Sequence, residues 1–292
     1  MDDTAYMKKN NFFFTVDVEE WFASTKILSL DKNAVYENSS DTVETMTWLI
    51  HLLNKYNIRG TFFFITTIAK RHPELVHMLL EKGHEIALHG MTHEHLNHVT
   101  SDAFASMVRQ AQQLFQQRFG ITLYGYRAPY FSINEQALRV LKTAHFLYDS
   151  SVVPSLRIPG WYGVPRAPRV PYKIGNTLES ESAQSTFTEF PLSVHPTFRL
   201  PGLGGYYFRN LGFFWTRHLL NICMEQLGYA IFYLHPWELS LTIPKLRGMP
   251  FYMHRKTGAW TREALESLLK MMKHSSNGET IPLSAYCKSH AQ

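Results

Sequence analysis

The sequence alternates short apolar runs, typical of buried β-strands, with longer segments of helical period. The strand-like run NFFFTV at residues 11–16 precedes a helical segment that starts near residue 41, and TFFFIT precedes a helix that starts at Pro73. The order recurs in HEIALH with a helix that ends at Gly120, and in YAIFYLH with a final helix. Repeated strand–helix units predict a parallel sheet. At 292 residues a closed or nearly closed barrel is favoured over an open doubly wound sheet.

The pattern changes between residues 150 and 212. Five prolines occur between residues 154 and 171, and the glycine-rich run LPGLGGYYF follows. Such a composition predicts extended segments and loops. We therefore expect a loop-rich insertion laid over the barrel.

Composition excludes several classes of protein. The net charge of +5 is spread along the chain, which argues against nucleic-acid binding. No glycine-rich phosphate fingerprint follows the first strand, and Cys223 and Cys287 give neither a disulfide framework nor metal-ligand spacing. The first apolar run is short for a signal peptide and no run is long enough for a transmembrane segment. We expect a cytoplasmic protein, and one that acts at the inner face of the membrane is compatible with these features.

Ionisable side chains stand where five of the predicted strands end. In a (β/α) barrel these carboxyl-terminal ends meet at one mouth, where catalytic groups gather. The residues are Asp17 and Glu19 after the first strand, then His89, Arg127, Asp149 and His235. One such residue is an ordinary helix cap or surface charge, but five occupied strand ends predict a reaction site.

Two carboxylates and two histidines give this site metal-binding character. Alternation along the first strand places Asp17 and Glu19 on one face and Glu20 on the other, although a bulge at the strand end would reverse the choice between the glutamates. His89 and His93 stand four residues apart, so both imidazoles can reach one ion. The same stretch holds three histidines without such support: His84, His95 and His98.

Two histidines with one carboxylate suit a divalent ion, most simply Zn²⁺, with open positions for water. A second carboxylate can take a proton from that water, and a separate histidine can protonate a leaving group. The predicted chemistry is metal-assisted hydrolysis of an amide or ester.

Five motifs follow one another along the chain: TVDVEE, HGMTH, RAPY, YDSS and YLHP. They resemble, in order, the motifs of the polysaccharide deacetylase family, the NodB-like carbohydrate esterases. The longer strings GYRAPYFSI and FYLHPWEL most resemble the branch found with bacterial exopolysaccharide export loci. The family fold is a distorted (β/α) barrel. The resemblance therefore implies an α/β chain with about seven parallel strands, a loop-rich insertion around 150–212, and a single domain over residues 1–292.

The resemblance also implies roles for the motif residues. They are Asp17 as general base, Arg127 holding that base, His89 and His93 as metal ligands, His235 as general acid, Asp149 orienting the acid, and the Tyr130 backbone N–H binding the oxyanion. The family's first motif carries two adjacent aspartates, base then ligand, whereas Val18 here separates Asp17 from Glu19. The fourth motif here lacks the family's usual tryptophan.

Together these features predict a metal-dependent hydrolase of a linear amide bond. It would remove N-acetyl groups from an amino sugar of a bacterial surface polysaccharide or its lipid-linked precursor, and release acetate. Aromatic side chains that can stack on sugar rings favour a carbohydrate, although such residues are also ordinary core; they are Trp161, Tyr162, Tyr206, Tyr207 and Trp237. Our candidate substrate-binding residues are Tyr130, Tyr206 and Trp237. Alternatives are an allantoinase-like cyclic-amide hydrolase and a sugar-binding protein without catalysis.

Overall fold

A computed structural model describes residues 11–23, 41–158, 162–243, 250–275 and 280–290. In these residues one sheet has eight strands in the order β6-β7-β5-β4-β3-β2-β1-β8. The strands are β1 (Asn11–Val18), β2 (Thr61–Phe64), β3 (Glu85–Leu88), β4 (Gly125–Tyr126), β5 (Tyr148–Asp149), β6 (Tyr172–Lys173), β7 (Thr188–Glu189) and β8 (Tyr229–Leu234). Seven of them run parallel, and β6 pairs antiparallel with β7 at one edge. The predicted α/β fold with about seven parallel strands is confirmed.

Helices follow the strands. The described α-helices are α1 (Thr42–Lys55), α2 (Thr66–Arg71), α3 (Pro73–Glu81), α4 (Ser101–Phe119), α5 (Glu135–Thr143), α6 (Gly205–Leu211), α7 (Phe213–Leu227), α8 (Phe251–His254), α9 (Ala259–Ser275) and α10 (Leu283–Ser289). Short 3-10 turns cover Leu96–His98, Pro129–Phe131 and Pro236–Leu239. Among these described helices, none has the length and apolar character needed to cross a membrane.

Strand β1 is buried on both faces, and its alternation sets the direction of the site residues. Phe12 and Phe14 pack in the core between the sheet and the helices, whereas Phe13 packs in a second core inside the barrel. Since side chains alternate along a strand, Thr15 and Asp17 point into the barrel with Phe13. The carboxylate of Asp17 therefore lies at the inner edge of the mouth.

The sheet does not close through a ladder between its two edge strands, β6 and β8, among the described residues. Residues that follow β7 approach β8 instead, through one backbone bond, from Tyr233 N–H to the carbonyl of Leu203 over 3.1 Å, and through side chains. Ile231 N–H donates to Ser193 Oγ over 2.8 Å, and Tyr229 Oη donates to the carbonyl of Pro191 over 2.7 Å. These bonds connect the two sides of the barrel where the described residues form no ladder.

The region 150–212 is rich in loops, as predicted, but it is not merely laid over the barrel. It supplies β6 and β7, and β7 pairs in parallel with β5. Each of these strands is two residues long, Tyr172–Lys173 and Thr188–Glu189, which is too short for a hydrophobic period to predict it. The expectation of a purely external insertion was wrong for this reason.

The amino-terminal end of the barrel is filled by α10. The Tyr286 ring packs edge-on against Phe13 at 5.6 Å, and Ser284 N–H donates to the buried Glu85 carboxylate over 3.0 Å. Burial raises the pKa of Glu85. With this end plugged, the accessible end is the one where the strands terminate.

Candidate active site

A cavity of about 180 Å³ opens at the carboxyl ends of the strands. Asp17 is the second-last residue of β1, and Glu19 comes directly after the last one, Val18. His89 and Arg127 follow β3 and β4, and His235 follows β8. The predicted convergence of these residues at one mouth is present in the structure, since all but Arg127 line the cavity and Arg127 bonds to Asp17.

Three potential metal-ligand groups meet at the floor of the cavity. Within the described residues, the ligand atoms of Glu19, His89 and His93 all lie within 4.8 Å of one another. Glu19 Oε2 lies 2.5 Å from His93 Nε2 and 3.6 Å from His89 Nε2. Their side chains are at most 8% exposed. The cluster contains Glu19 and not Glu20, as strand alternation favoured.

His89 is held so that one ring nitrogen faces the cluster. Its Nδ1 lies 2.8 Å from the carbonyl oxygen of Arg127, which can only accept, so Nδ1 carries the proton. The Nε2 lone pair is then available to an ion, the arrangement usual for metal-binding histidines. Gly90 next to it has φ +111°, and a Cβ there would lie 2.9 Å from the carbonyl oxygen of Thr92. This glycine permits the turn between His89 and His93.

The charge on Glu19 also fits a cation. Burial alone would raise its pKa, but the neighbouring His93 and His235 hold the pKa of Glu19 well below its usual range. Glu19 Oε2 is buried and accepts no hydrogen bond among the described residues, despite its short approach to His93. A buried carboxylate oxygen without a hydrogen bond is costly. A divalent ion coordinated by this oxygen and the two imidazoles would remove that cost, so the donor set fits the predicted Zn²⁺.

Asp17 is bound by a buried arginine. Arg127 is fully buried, and its Nη1 donates to Asp17 Oδ1 over 2.7 Å and to Thr15 Oγ1 over 2.9 Å. Its Nε and Nη2 donate to the carbonyl and the hydroxyl of Ser150 over 2.9 and 2.8 Å, and its guanidinium lies 4.1 Å from the centre of the Phe63 ring. These contacts fix Arg127, which therefore fixes the direction of the Asp17 carboxylate.

Asp149 has a different place from the one predicted. It accepts hydrogen bonds from Ser151 N–H over 3.0 Å and from Ser151 Oγ over 2.7 Å, and Ser151 Oγ accepts in turn from Ala128 N–H over 2.8 Å. No hydrogen bond joins it to His235 within the described chain. The expectation that Asp149 orients the acid is corrected: it supports the RAPY segment through Ser151.

Asp149 also has a second buried carboxyl group beside it. Glu189 is its register partner on β7, and both are fully buried. Burial raises the pKa of Asp149 to about 6, against the lowering effects of Glu189, Ser151 and Arg127. Burial and the nearby Asp149 together raise the pKa of Glu189 well above its usual range. Of the two carboxyl groups, Glu189 is therefore the one whose pKa burial and the neighbouring charge raise together.

The partner of His235 is Glu238, which the sequence prediction missed. Glu238 Oε2 lies 3.2 Å from His235 Nδ1 and accepts from the His235 backbone N–H over 3.0 Å. Burial opposes protonation, but the carboxylates of Glu19 and Glu238 outweigh it and raise the pKa of His235 to about 9. The available signal was the spacing of the HPWE segment, where Glu238 stands three residues after His235 at a helix start.

Aromatic rings form the wall of the cavity. The Trp237 ring stacks on His235 with centroids 5.4 Å apart, and its Nε1 donates to Glu19 Oε1 over 3.4 Å. Tyr162 Oη and Tyr207 Oη are 2.5 Å apart. Tyr206 lines the same cavity. The candidate Trp161 lies outside the described residues.

Tyr130 combines a ring contact with an unusual backbone. Its ring centroid lies 4.3 Å from that of His93. Tyr130 and Phe131 both have positive φ, 57° and 55°. Two successive side chains in the left-handed region are costly and are typical of functional loops. The turn Pro129–Phe131 thus brings Tyr130 to the cavity lining.

The other histidines of the HEIALHGMTHEHLNH stretch lie apart from the metal cluster. His84 is buried and its Nδ1 accepts from Gly60 N–H over 3.1 Å, and burial with the nearby Arg59 lowers the pKa of His84 to about 4. His95 Nδ1 accepts from Asn97 N–H over 3.3 Å. The ring nitrogens of His84 and His95 thus accept from backbone N–H groups and support the local backbone.

Two family profiles match consecutive parts of the chain. The profile described as "Polysaccharide deacetylase" matches residues 29–148, which include His89, His93 and Arg127. The chain contains a polysaccharide deacetylase domain. A second profile, "Domain of unknown function (DUF3473)", matches residues 150–281.

Curated and solved relatives agree with this assignment. A peptidoglycan-N-acetylglucosamine deacetylase of Bacillus cereus is 24% identical over 116 residues, which are 40% of this chain and 41% of the relative, so the match spans about two fifths of that protein. A Mycobacterium smegmatis structure, provisionally named a polysaccharide deacetylase, has a TM-score of 0.67 at 21% identity. The superposition covers 97% of this chain and 90% of the M. smegmatis chain. The PuuE allantoinase structure has TM-score 0.66 at 14% identity, covering 98% and 93%. At these identities the structures support the barrel fold of the deacetylase domain.

We expect the wild-type protein to purify with about one divalent ion per chain, and His93→Ala to lose it because one of three ligands is removed. Metal analysis by mass spectrometry measures this. His98→Ala is the matched control, since His98 is an exposed histidine nearby outside the cluster. Equal metal content in both variants would contradict the assignment.

Glu189→Gln should stabilise the protein increasingly as pH rises. The folded chain keeps the Glu189 proton that the unfolded chain loses above the usual glutamate pKa, so wild-type stability falls with pH, by at most about 1.4 kcal/mol per pH unit for one proton. Glutamine cannot titrate and retains an oxygen for Val152 N–H. Thermal unfolding between about pH 5 and pH 8 tests this, and a pH-independent difference between the two proteins would contradict it.

Proposed function

We propose that this protein is a metal-dependent deacetylase. It hydrolyses the N-acetyl amide of an amino sugar in a bacterial surface polysaccharide, or in its lipid-linked precursor, and releases acetate. The observation that carries the proposal is the meeting in one cavity of the Glu19, His89 and His93 cluster, a carboxylate held by arginine, and a histidine held by glutamate.

Asp17 acts as the general base. Its carboxylate lies at the inner edge of the cavity, and Arg127 occupies Oδ1, so the carboxylate has a fixed direction. A positioned carboxylate takes a proton from the attacking water as the water approaches the acetyl carbonyl. A divalent ion held by Glu19, His89 and His93 would supply Lewis acidity to this water and carbonyl.

His235 protonates the departing amine. Its Nδ1 is occupied by Glu238, so Nε2 is the atom that faces the cavity and Glu19, 3.5 Å away. An amine leaves poorly until it is protonated, and an acid within reach lowers that barrier. The backbone N–H of Tyr130 completes the set as a donor to the developing oxyanion.

A sugar chain fits the surroundings of the cavity. An open groove of about 920 Å³ adjoins it, and Phe131 and Tyr162 line both. Aromatic faces such as Trp237 stack on the apolar faces of sugar rings. A small cyclic amide would fit in the cavity of about 180 Å³ and would not extend into the groove. The groove therefore favours a saccharide that extends beyond the reacting sugar residue.

The proposal extends to the setting of the enzyme. A single domain over residues 1–292 is part of the proposal, and its support is that β7 and β8 pair directly with β5 and β1. The enzyme works in the cytoplasm, at the inner membrane face, within an exopolysaccharide export pathway. Its metal is Zn²⁺, for which two imidazoles and one carboxylate are a common donor set.

Acetate release distinguishes the proposal from its alternatives. Metal-loaded protein should release acetate from N-acetylhexosamine oligomers, with less release from the monosaccharide because the groove is then empty. Enzymatic acetate detection measures this. Ammonia or urea-type products from cyclic amides, without acetate from any oligomer, would contradict the proposal.

Asp17→Asn should retain the metal and lose turnover by about 10²–10⁴-fold, because an amide cannot accept the proton. The isosteric side chain keeps an oxygen for Arg127. Metal content and acetate release are measured on the same preparation. Loss of the metal in this variant would make Asp17 a ligand and overturn the division of roles between Asp17 and Glu19.

A further inference from the structure

The segment matched by the profile of unknown function contributes one side of the cavity. Residues 150–281 contain His235, Trp237, Glu238 and five of the cavity-lining tyrosines, whereas the proposed base and metal ligands precede residue 150. Strand β8, which ends at Leu234, pairs with β1 from Asn11 to Val16. His235 is therefore carried to the mouth by a strand that neighbours the strand of Asp17.

Within this segment a buried ion pair stands behind His235. Arg209 Nε donates to Glu238 Oε1 over 2.8 Å, and Glu238 Oε2 faces His235. Arg209 and Glu238 are both fully buried. Arg209 also lowers the pKa of Glu238 against the opposing effect of burial, so the carboxylate is ionised. The two oxygens of Glu238 thus have separate partners, one on α6 and one on the acid.

The surroundings of the pair are built to hold it. Arg209 Nη1 donates to the carbonyl oxygens of Tyr252 and Arg255 over 2.9 and 2.7 Å, which fixes the guanidinium to the α8 segment. A Cβ on Gly205 would lie 1.7 Å from Glu238 Oε2. The glycine-rich run therefore leaves the space that the Glu238 carboxylate occupies.

We propose that Glu238, anchored by Arg209, is the positioning residue of the leaving-group acid, and that residues 150–281 form the acid half of the active site. The proposal rests on the function proposed above. Glu238 accepts the Nδ1 proton of His235, which fixes the tautomer and ring direction and leaves Nε2 to meet the leaving amine. The same carboxylate compensates the positive charge when the ring is protonated. Asp149 does not position His235, because its carboxylate is hydrogen-bonded to Ser151.

The kinetic test compares Glu238→Gln with Glu225→Gln, which removes an exposed carboxylate from α7 of the same segment. On an N-acetylated oligosaccharide, Glu238→Gln should lower kcat by about 10- to 10⁴-fold, the range for carboxylates that orient a histidine. KM and metal content should change little, and the loss should shrink on an aryl acetate, whose leaving group needs no proton. Glu225→Gln should match the wild type. Wild-type kcat in Glu238→Gln, or equal losses on amide and ester, would overturn the proposal.

A spectroscopic test does not depend on the substrate. In ¹⁵N NMR of the imidazole rings, with the His235 signal identified by its loss in His235→Ala, the neutral ring in wild-type metal-loaded protein should carry its proton on Nδ1. Glu238→Gln should shift this tautomer balance, and Arg209→Lys should shift it less. A wild-type neutral ring protonated on Nε2 would overturn the proposal even if the variants failed to fold. Absence of acetate release by wild-type protein would instead contradict the proposed function alone.

Discussion

The buried guanidinium of Arg127 is the interaction on which the site depends. It joins the ends of β1 and β5 through Thr15, Asp17 and Ser150, and the carbonyl of the same residue holds His89 after β3. A fully buried charge is tolerated only when it is paired and its donors are satisfied. Arg127 is paired with Asp17 and makes four hydrogen bonds, so the proposed base and one proposed metal ligand share a single fixed support.

Much of the fold followed from the sequence because strand and helix periods differ. Parallel strands β1 to β5 and β8, and the long helices between them, agree with the alternation of the sequence, and Glu19 lies on the face that the period of β1 predicts. Strands β6 and β7 were missed. Each is two residues long, and its pairing depends on residues that are distant in the sequence. A hydrophobic period, which is local, cannot predict such pairing.

The same limit applies to the supports of the site. Asp17, His89, His93, Arg127 and His235 were found because each ends a strand or belongs to a motif. The assignment of Asp149 to His235 failed because a motif does not state which hydrogen bonds its carboxylate makes; here Ser151 takes them. Glu238 and Arg209 are far apart along the chain, and their pairing exists only once α6 and the turn after β8 are packed together.

The most direct test of the central claim is a titration of metal-free protein with Zn²⁺, following acetate release from an N-acetylhexosamine oligomer. If Glu19, His89 and His93 hold the ion that the chemistry needs, the rate rises from near zero and levels off at about one equivalent. Undiminished acetate release by metal-free protein, or a rate that Zn²⁺ and other divalent ions leave at zero, would contradict it.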